Sequence, residues 1–267
     1  MSKDRDKFAV LHAARRVWAV AAIHGDADRL VRLHDTLAGR LNPGDRLVYL
    51  GNFLGYGSQI RETVDELLDF RRRLLAQPLV FTYDIAYLRG AQEEMWHKLL
   101  QLQFAPNPRE VLAWMLNQGV GATLAAYGGN VQQGVASARD GALATTRWTG
   151  TLRSAMQAYP GHFQMMSALR RAAYTDDHNL LFVSGGLDPE RPLSQQSDTF
   201  WWGTAGFARL DHAYGGFARI VRGYDRSHGG PQSGTFSTTI DAGCGFGGPL
   251  VAACFRPSGD VDDLIEA

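Results

Sequence analysis

Residues 48–59, VYLGNFLGYGSQ, decide how this chain is read. A strand-like run from Arg46 to Leu50 breaks at once into an uncharged loop in which Gly51, Gly55 and Gly57 are spaced for a tight turn. Directly behind it Val64, Leu67, Leu68, Leu74 and Leu75 mark one face of a helix. Strand, glycine loop and helix in that order form one unit of an α/β chain, whose ligand sites collect at the carboxyl ends of the strands.

The unit recurs on both sides. Val17 to Ile23 reads as a strand that ends at His24-Gly25, and Leu30, Leu33 and Leu37 follow at helical spacing, with Asp26 or Asp28 suited to the cap or first turn. From Pro78, PLVFTYDI reads as a third strand and AQEEMWHKLLQLQF as its helix. The loops HGDAD, GNFLGYG and TYDIAY are therefore expected to converge. From about 91 to 175 the pattern is helical and reads as a helical insertion, with Asn107, Pro108 and Glu110 as a start signal and Gly119 as a stop. Within it, the small, polar, glycine-containing stretch 127–149 is expected to be a flexible loop. NLLFVSGG, GGFARIVRG, FSTTIDAG and GPLVAACFRP are later strands with few helices between them, so that half of the sheet structure is expected to be mixed or antiparallel. No repeat or linker divides residues 1–267, and a single domain is expected.

Composition narrows the function. Lys+Arg and Asp+Glu both number 27 in 267 residues, and this zero net charge argues against a nucleic-acid surface. Cys244 and Cys254 lack zinc-finger spacing and suit reduced thiols. Arg15 and Arg16 interrupt the N-terminal apolar residues, and no apolar run reaches ~18 residues. A cytoplasmic protein without membrane insertion is expected.

Longer stretches carry a resemblance. WMLNQGVGATLAAYG (114–128), LLFVSGGLDPERPLSQQ (180–196) and TIDAGCGFGGPLVAA (239–253) stand in one order with AIHG (22–25), GNFLGYG (51–57), YDIA (83–86), VSGG (183–186) and RGYD (222–225). Together they resemble the calcineurin-like metallophosphoesterases, specifically the bacterial phosphoprotein-phosphatase and diadenosine-tetraphosphatase branch. The corresponding motifs of that family are Asp-x-His-Gly, Gly-Asp-x-x-Asp-Arg-Gly, Gly-Asn-His-Glu, Val-His-Ala-Gly and Gly-His-Thr. The resemblance implies a four-layer α/β/β/α sandwich of two mixed β-sheets, with a two-metal phosphoesterase site at the loops.

Carried over position by position, the resemblance leaves only His24 unchanged among the metal ligands. Ala22, Asn52, Asp84, Ser184 and Tyr224 stand for the other five. Ile85 stands for the general-acid histidine, Gly55 and Ala86 for its supporting acids, and Tyr56, Gly203 and Ser237 for phosphate-gripping arginines. A methyl group binds no metal, and a neutral amide cannot replace a carboxylate bridging two dications. The resemblance with these departures implies a vestigial pocket with no catalytic residue and no metal cofactor, His24 and Asp84, with Asp26 as a third, being the remaining candidates for a single ion. It further implies a pseudophosphatase that binds a protein partner or a small ligand. The alternative is a divergent phosphoesterase that hydrolyses a phosphomonoester or dinucleoside polyphosphate at a single-metal site. Tyr56, Tyr83 and Tyr224 would give the pocket an aromatic lining or simply fill it. Trp201 and Trp202 read equally as partner surface or core, and His228 as a solvated loop residue. Arg89 and Arg222 are nearby in sequence, with no sign of which way they point.

Overall fold

The computed structural model describes residues 7–267, so the first six residues of the N-terminal stretch discussed above lie outside it. The strands are β1 (Phe8–Leu11), β2 (Arg16–Val20), β3 (Asp45–Tyr49), β4 (Ile85–Tyr87), β5 (Ala172–Thr175), β6 (Leu180–Val183), β7 (Arg219–Arg222), β8 (Gln232–Ser233), β9 (Ser237–Thr239), β10 (Val251–Phe255) and β11 (Val261–Glu266). They form a six-stranded sheet of order β1-β5-β6-β7-β9-β8 and a five-stranded sheet of order β11-β10-β2-β3-β4. Both are mixed. Parallel β2, β3 and β4 adjoin antiparallel β10 and β11, and parallel β6, β7 and β9 adjoin antiparallel β5.

Helices α1 (Ala27–Ala38) and α2 (Ile60–Leu75) follow β2 and β3, and α3 (Ala91–Leu99), α4 (Pro108–Asn117), α5 (Val120–Ala126), α6 (Val131–Asp140), α7 (Ala142–Gln157) and α8 (His162–Ala168) lie between β4 and β5. Two short helices, α9 (Thr199–Trp202) and α10 (Thr204–Phe207), precede β7. The Asp26 side chain accepts the Arg29 N–H at 3.0 Å and caps α1, while Asp28 stands in its first turn.

Alternation along the strands sorts side chains into layers. Val17, Ala19, Val48 and Val251 of one sheet meet Leu180, Phe182 and Val221 of the other between the two sheets. The intervening Trp18, Val20, Leu47 and Tyr49 face α1 and α2, where Leu30, Leu33, Leu37, Val64 and Leu67 are fully buried or nearly so. On the far side Leu181, Val183 and Ile220 pack on Phe200, Trp201 and Phe207 of the short helices. Helix, sheet, sheet, helix is the expected four-layer α/β/β/α sandwich. Each buried aliphatic side chain contributes roughly 1.5–3 kcal/mol. Among the described residues no helix is long and apolar enough to cross a membrane.

Two sequence expectations are corrected. The third strand begins at Ile85, not Pro78, because Leu79, Phe81 and Tyr83 are exposed and Thr82–Asp84 closes a 3-10 turn instead of pairing. Stretch 127–149 is not a flexible loop but holds α6 and the first half of α7. Asn130 caps α6 by accepting the Gln133 N–H at 3.1 Å. The small residues serve contact between helices: a Cβ on Gly134 would lie 2.5 Å from the Trp148 indole.

Candidate functional site

The parallel strands of both sheets end on the same side, and their loops are stitched together there. Ile23 and His24 donate their N–H groups to the Asn52 carbonyl at 3.0 and 2.8 Å, Gly25 donates to Phe53 at 2.8 Å, and Gly57 donates to His24 at 2.7 Å. The loops after β2 and β3 thus form one continuous surface. Across the sandwich Ala22 donates to the Gly223 carbonyl at 2.9 Å, and Gly223 and Tyr224 donate to the Ser184 carbonyl at 3.1 and 2.9 Å. Hence the structure brings Ala22, His24, Asn52, Ser184 and Tyr224 together.

His24 and Asn52 adopt left-handed backbone conformations, φ 53° and 55°, which L-residues other than Gly, Asn and Asp seldom take. For His24 this turns the ring inward. Its Nδ1 lies 3.2 Å from the Leu54 carbonyl, and since a carbonyl only accepts, Nδ1 carries the proton. Nε2 then presents a buried lone pair with no hydrogen-bond partner. Burial lowers the His24 pKa to about 3, so the imidazole is neutral. The rings of Tyr56, Tyr224 and Phe246 meet it edge-on, with centroids at 5.3, 5.6 and 5.3 Å.

The loop after β4 does not match the expectation. Asp84 and Ile85 lie at the opposite end of the strand: Asp84 Oδ1 stands 3.2 Å from Arg46 Nε at the start of β3, and Asp84 Oδ2 accepts the Phe81 N–H. Ala86, in mid-strand, faces the layer between the sheets. The residues that do reach the site are Ala91 and Gln92, with Gly90 and Glu93 bonded beside them, and not YDIA (83–86), where Gly-Asn-His-Glu was sought; Gly90 and Glu93 share the first and last residue types of that motif. Buried Glu93 accepts three backbone N–H groups, from Asn52 at 2.8 Å, Leu54 at 3.0 Å and Gly90 at 2.8 Å. Burial pushes its carboxyl above the ordinary range and the three donors oppose that shift. Asn52 Oδ1 in turn accepts the Gln92 N–H at 3.0 Å. Gly55, at φ 99°, admits the Gln92 side chain, which a Cβ there would contact at 2.5 Å.

Other expected residues divide. Ser237 opens β9 and so sits at the far end of its strand, away from the loops. Gly203 joins α9 to α10. Exposed Tyr83 stacks on Phe81, outside the cluster. Arg89 is paired with Glu94 at 3.0 Å, and Arg222 with Asp225 at 3.0 Å above the Phe207 ring. Trp201 is core, its indole N–H bonded to the Arg89 carbonyl at 2.7 Å. His228 is not a solvated loop residue: it stacks on Phe246 at 4.3 Å, and its Nδ1 lies 2.9 Å from the buried Asp241 carboxylate. Phe246, Gln92 and Arg226 also belong to the site and were not foreseen. Phe246 lies inside TIDAGCGFGGPLVAA and Arg226 directly follows RGYD, but neither occupies a position to which the resemblance gives a role.

A cavity of about 20 Å³ remains among His24, Asn52, Tyr56, Gln92, Trp201 and Tyr224, room for one water molecule.

Structural comparison places the fold. The chain superposes over 98% of its length, and 98% of the other's, on a protein assigned as a diadenosine tetraphosphatase, with a TM-score of 0.57 at 19% sequence identity. A protein serine/threonine phosphatase from Saccharomyces cerevisiae matches over 97% of this chain and 82% of its own, with a TM-score of 0.52 at 17% identity. The chain has the metallophosphoesterase fold. No protein-family model and no curated protein matches its sequence.

The two metals implied by the resemblance do not fit the residues present. In the metallophosphoesterase fold of this chain, Ala22 supplies a methyl group, Asn52 Oδ1 is engaged by Gln92, and burial pushes the Tyr224 phenol up to about 12, far from a phenolate at neutral pH. Among the described residues no three His, Cys, Asp or Glu side chains converge as an ion requires. His24 Nε2, Gln92 Oε1 and Ser184 Oγ are the buried atoms there without a hydrogen-bond partner among the described residues, one imidazole nitrogen and two neutral oxygens.

Proposed function

We propose that this protein is a metallophosphoesterase-fold pseudophosphatase, which acts by binding a protein partner or a small ligand through the surface that closes its former active site. The reading rests on one observation above all: Tyr56, Tyr224 and Phe246 ring His24 and leave space for a single water where a phosphoryl group and two ions would need to enter. Tyr56 and Phe246 are also 39% and 44% exposed, so the plug presents aromatic surface to solvent. Aromatic side chains of this kind are enriched where proteins meet. In this reading Ala22, Asn52, Gly55, Tyr56, Ser184 and Tyr224 are relics of a lost phosphoesterase site. The same reading sets the protein in a reducing compartment, where the buried thiols of Cys244 and Cys254 stay free.

Elemental analysis of the purified protein, joined to assays on a phosphomonoester and on diadenosine polyphosphates, tests it. No stoichiometric metal and no turnover is the expected result. Bound metal together with turnover abolished by His24→Asn would establish the divergent phosphoesterase instead. Affinity purification with Tyr56→Ala and Phe246→Ala as controls identifies a partner as one whose capture both substitutions weaken.

A further inference from the structure

A second cavity, of about 490 Å³, opens at the edges of the two sheets where β1 and β4 approach α2 and α8. It shares no residue with the His24 cluster. Its volume is in the range of small-molecule sites, roughly 300–1,000 Å³. The floor is apolar, made by Phe8, Leu68, Ile85 and Met165, of which Phe8, Ile85 and Met165 are buried.

Among the described residues the charged side chains that line the cavity have one sign. Arg71 and Arg170 line the cavity, and no acidic side chain does so among the described residues. Arg71 is half-buried and makes no hydrogen bond or ion pair among the described residues. Exposed arginines such as Arg15, Arg32 and Arg109 likewise meet no carboxylate among the described residues, but water solvates them, whereas the less exposed Arg16, Arg29 and Arg89 are each engaged by one. A guanidinium held above an apolar floor has lost part of its hydration without gaining a counter-charge, and an anion at the rim would offset that cost. Thr82 and Gln164 add uncharged polar groups beside it.

We infer that this cavity binds a small organic anion: one carboxylate paired with Arg71, on an aryl or alkyl body that lies against Phe8, Ile85 and Met165. Arg71 fixes the head group, and the floor supplies the apolar contact. The site is separate from the aromatic plug and requires no residue of it, so it stands whatever becomes of the pseudophosphatase reading.

The test uses 1-naphthoate as the probe, the full-length protein, and methionine-methyl NMR with Met165 assigned through Met165→Leu. Titration is expected to move the Met165 methyl resonance to saturation. 1-Naphthalenemethanol, which has the same body without the charge, is expected to bind about tenfold more weakly, and Arg71→Met to cost the probe about tenfold. Because Gln164 is exposed, its exchange leaves the fold intact: Gln164→Glu weakens the probe and Gln164→Lys strengthens it. An unmoved Met165 signal at several millimolar probe, an alcohol that binds as tightly as the acid, or an Arg71→Met variant of unchanged affinity would each overturn the assignment.

Discussion

The Glu93 carboxylate holds the Asn52 N–H at 2.8 Å, so an acid from the loop after β4 fixes the backbone of the loop after β3. The same carboxylate takes the N–H groups of Leu54 and Gly90, which makes it the common acceptor for three donors that have no water available. Its position explains how the glycine-spaced turn keeps its shape.

Replacing Glu93 by Gln turns one acceptor oxygen into a donor and sets it against a buried N–H. The expected cost is about 1–3 kcal/mol of folding stability. Hydrogen exchange is the sharper measurement, since the amides of Asn52, Leu54 and Gly90 should exchange faster in the variant than those of β2 and β3. Uniform acceleration throughout the chain would show that Glu93 is not a local clamp.

His24 makes stability depend on pH. In the unfolded chain its imidazole takes up a proton near 6.5, but in the fold only near 3. Between those values the unfolded state holds the extra proton, and stability falls as pH is lowered, by about 1.4 kcal/mol per unit. His24→Asn keeps a residue suited to the left-handed backbone and removes this proton. Urea melts at pH 7 and pH 5 are expected to show the wild type losing about 2 kcal/mol more than the variant. Equal losses would mean that His24 is protonated in the fold.

Two buried histidines offer an internal comparison. His34 lies between the Tyr49 hydroxyl, 2.8 Å from Nε2, and Glu66, and it stacks on Phe70 at 3.8 Å. His162 lies between the Tyr127 hydroxyl at 2.8 Å and Asp65 at 3.0 Å, but Asp65 is largely exposed. Tyr49→Phe strands a buried ring nitrogen and should cost about 1–3 kcal/mol, whereas Asp65→Asn, at a solvated site, should cost less than about 1 kcal/mol. Denaturant midpoints of the two variants decide the order.

Gly134→Val tests the contact between α6 and α7. The added Cβ would overlap the Trp148 ring, and overpacking of this kind costs about 1–3 kcal/mol. Limited proteolysis should cut the variant within 127–149 at protease levels that leave the wild type intact. A wild type already cut there would restore the flexible loop that composition suggests.

What was legible in the sequence was what neighbours in the chain decide. The turn GNFLGYG and the break at His24-Gly25 follow strands and precede helices with clear spacing, and both loops are where that pattern puts them. PLVFTYDI misled because strand propensity says nothing of partners: Leu79, Phe81 and Tyr83 alternate like a strand but face solvent, and the Asp84–Arg46 pair turns the chain before pairing starts. That slip carried Asp84 and Ile85 to the wrong end of β4 and hid Gln92 and Glu93. A signal for α6 was present, Asn130 followed three residues later by Gln133, and the glycines around it outweighed it. The signal for Phe246 and Arg226 was only their place in or beside TIDAGCGFGGPLVAA and RGYD, stretches that the resemblance brings to the loops without saying which other side chains turn towards His24.

The left-handed backbone at His24 and Asn52 costs on the order of 1 kcal/mol at each residue, and reciprocal hydrogen bonds between the two loops hold it in place. For protein engineering this pair of loops is accordingly a ready-made contour. Ligand groups can be tried at Ala22, Asn52, Ala91, Ser184 and Tyr224 as side-chain exchanges on a contour that is already set, and the first residues to cut back are Tyr56 and Phe246.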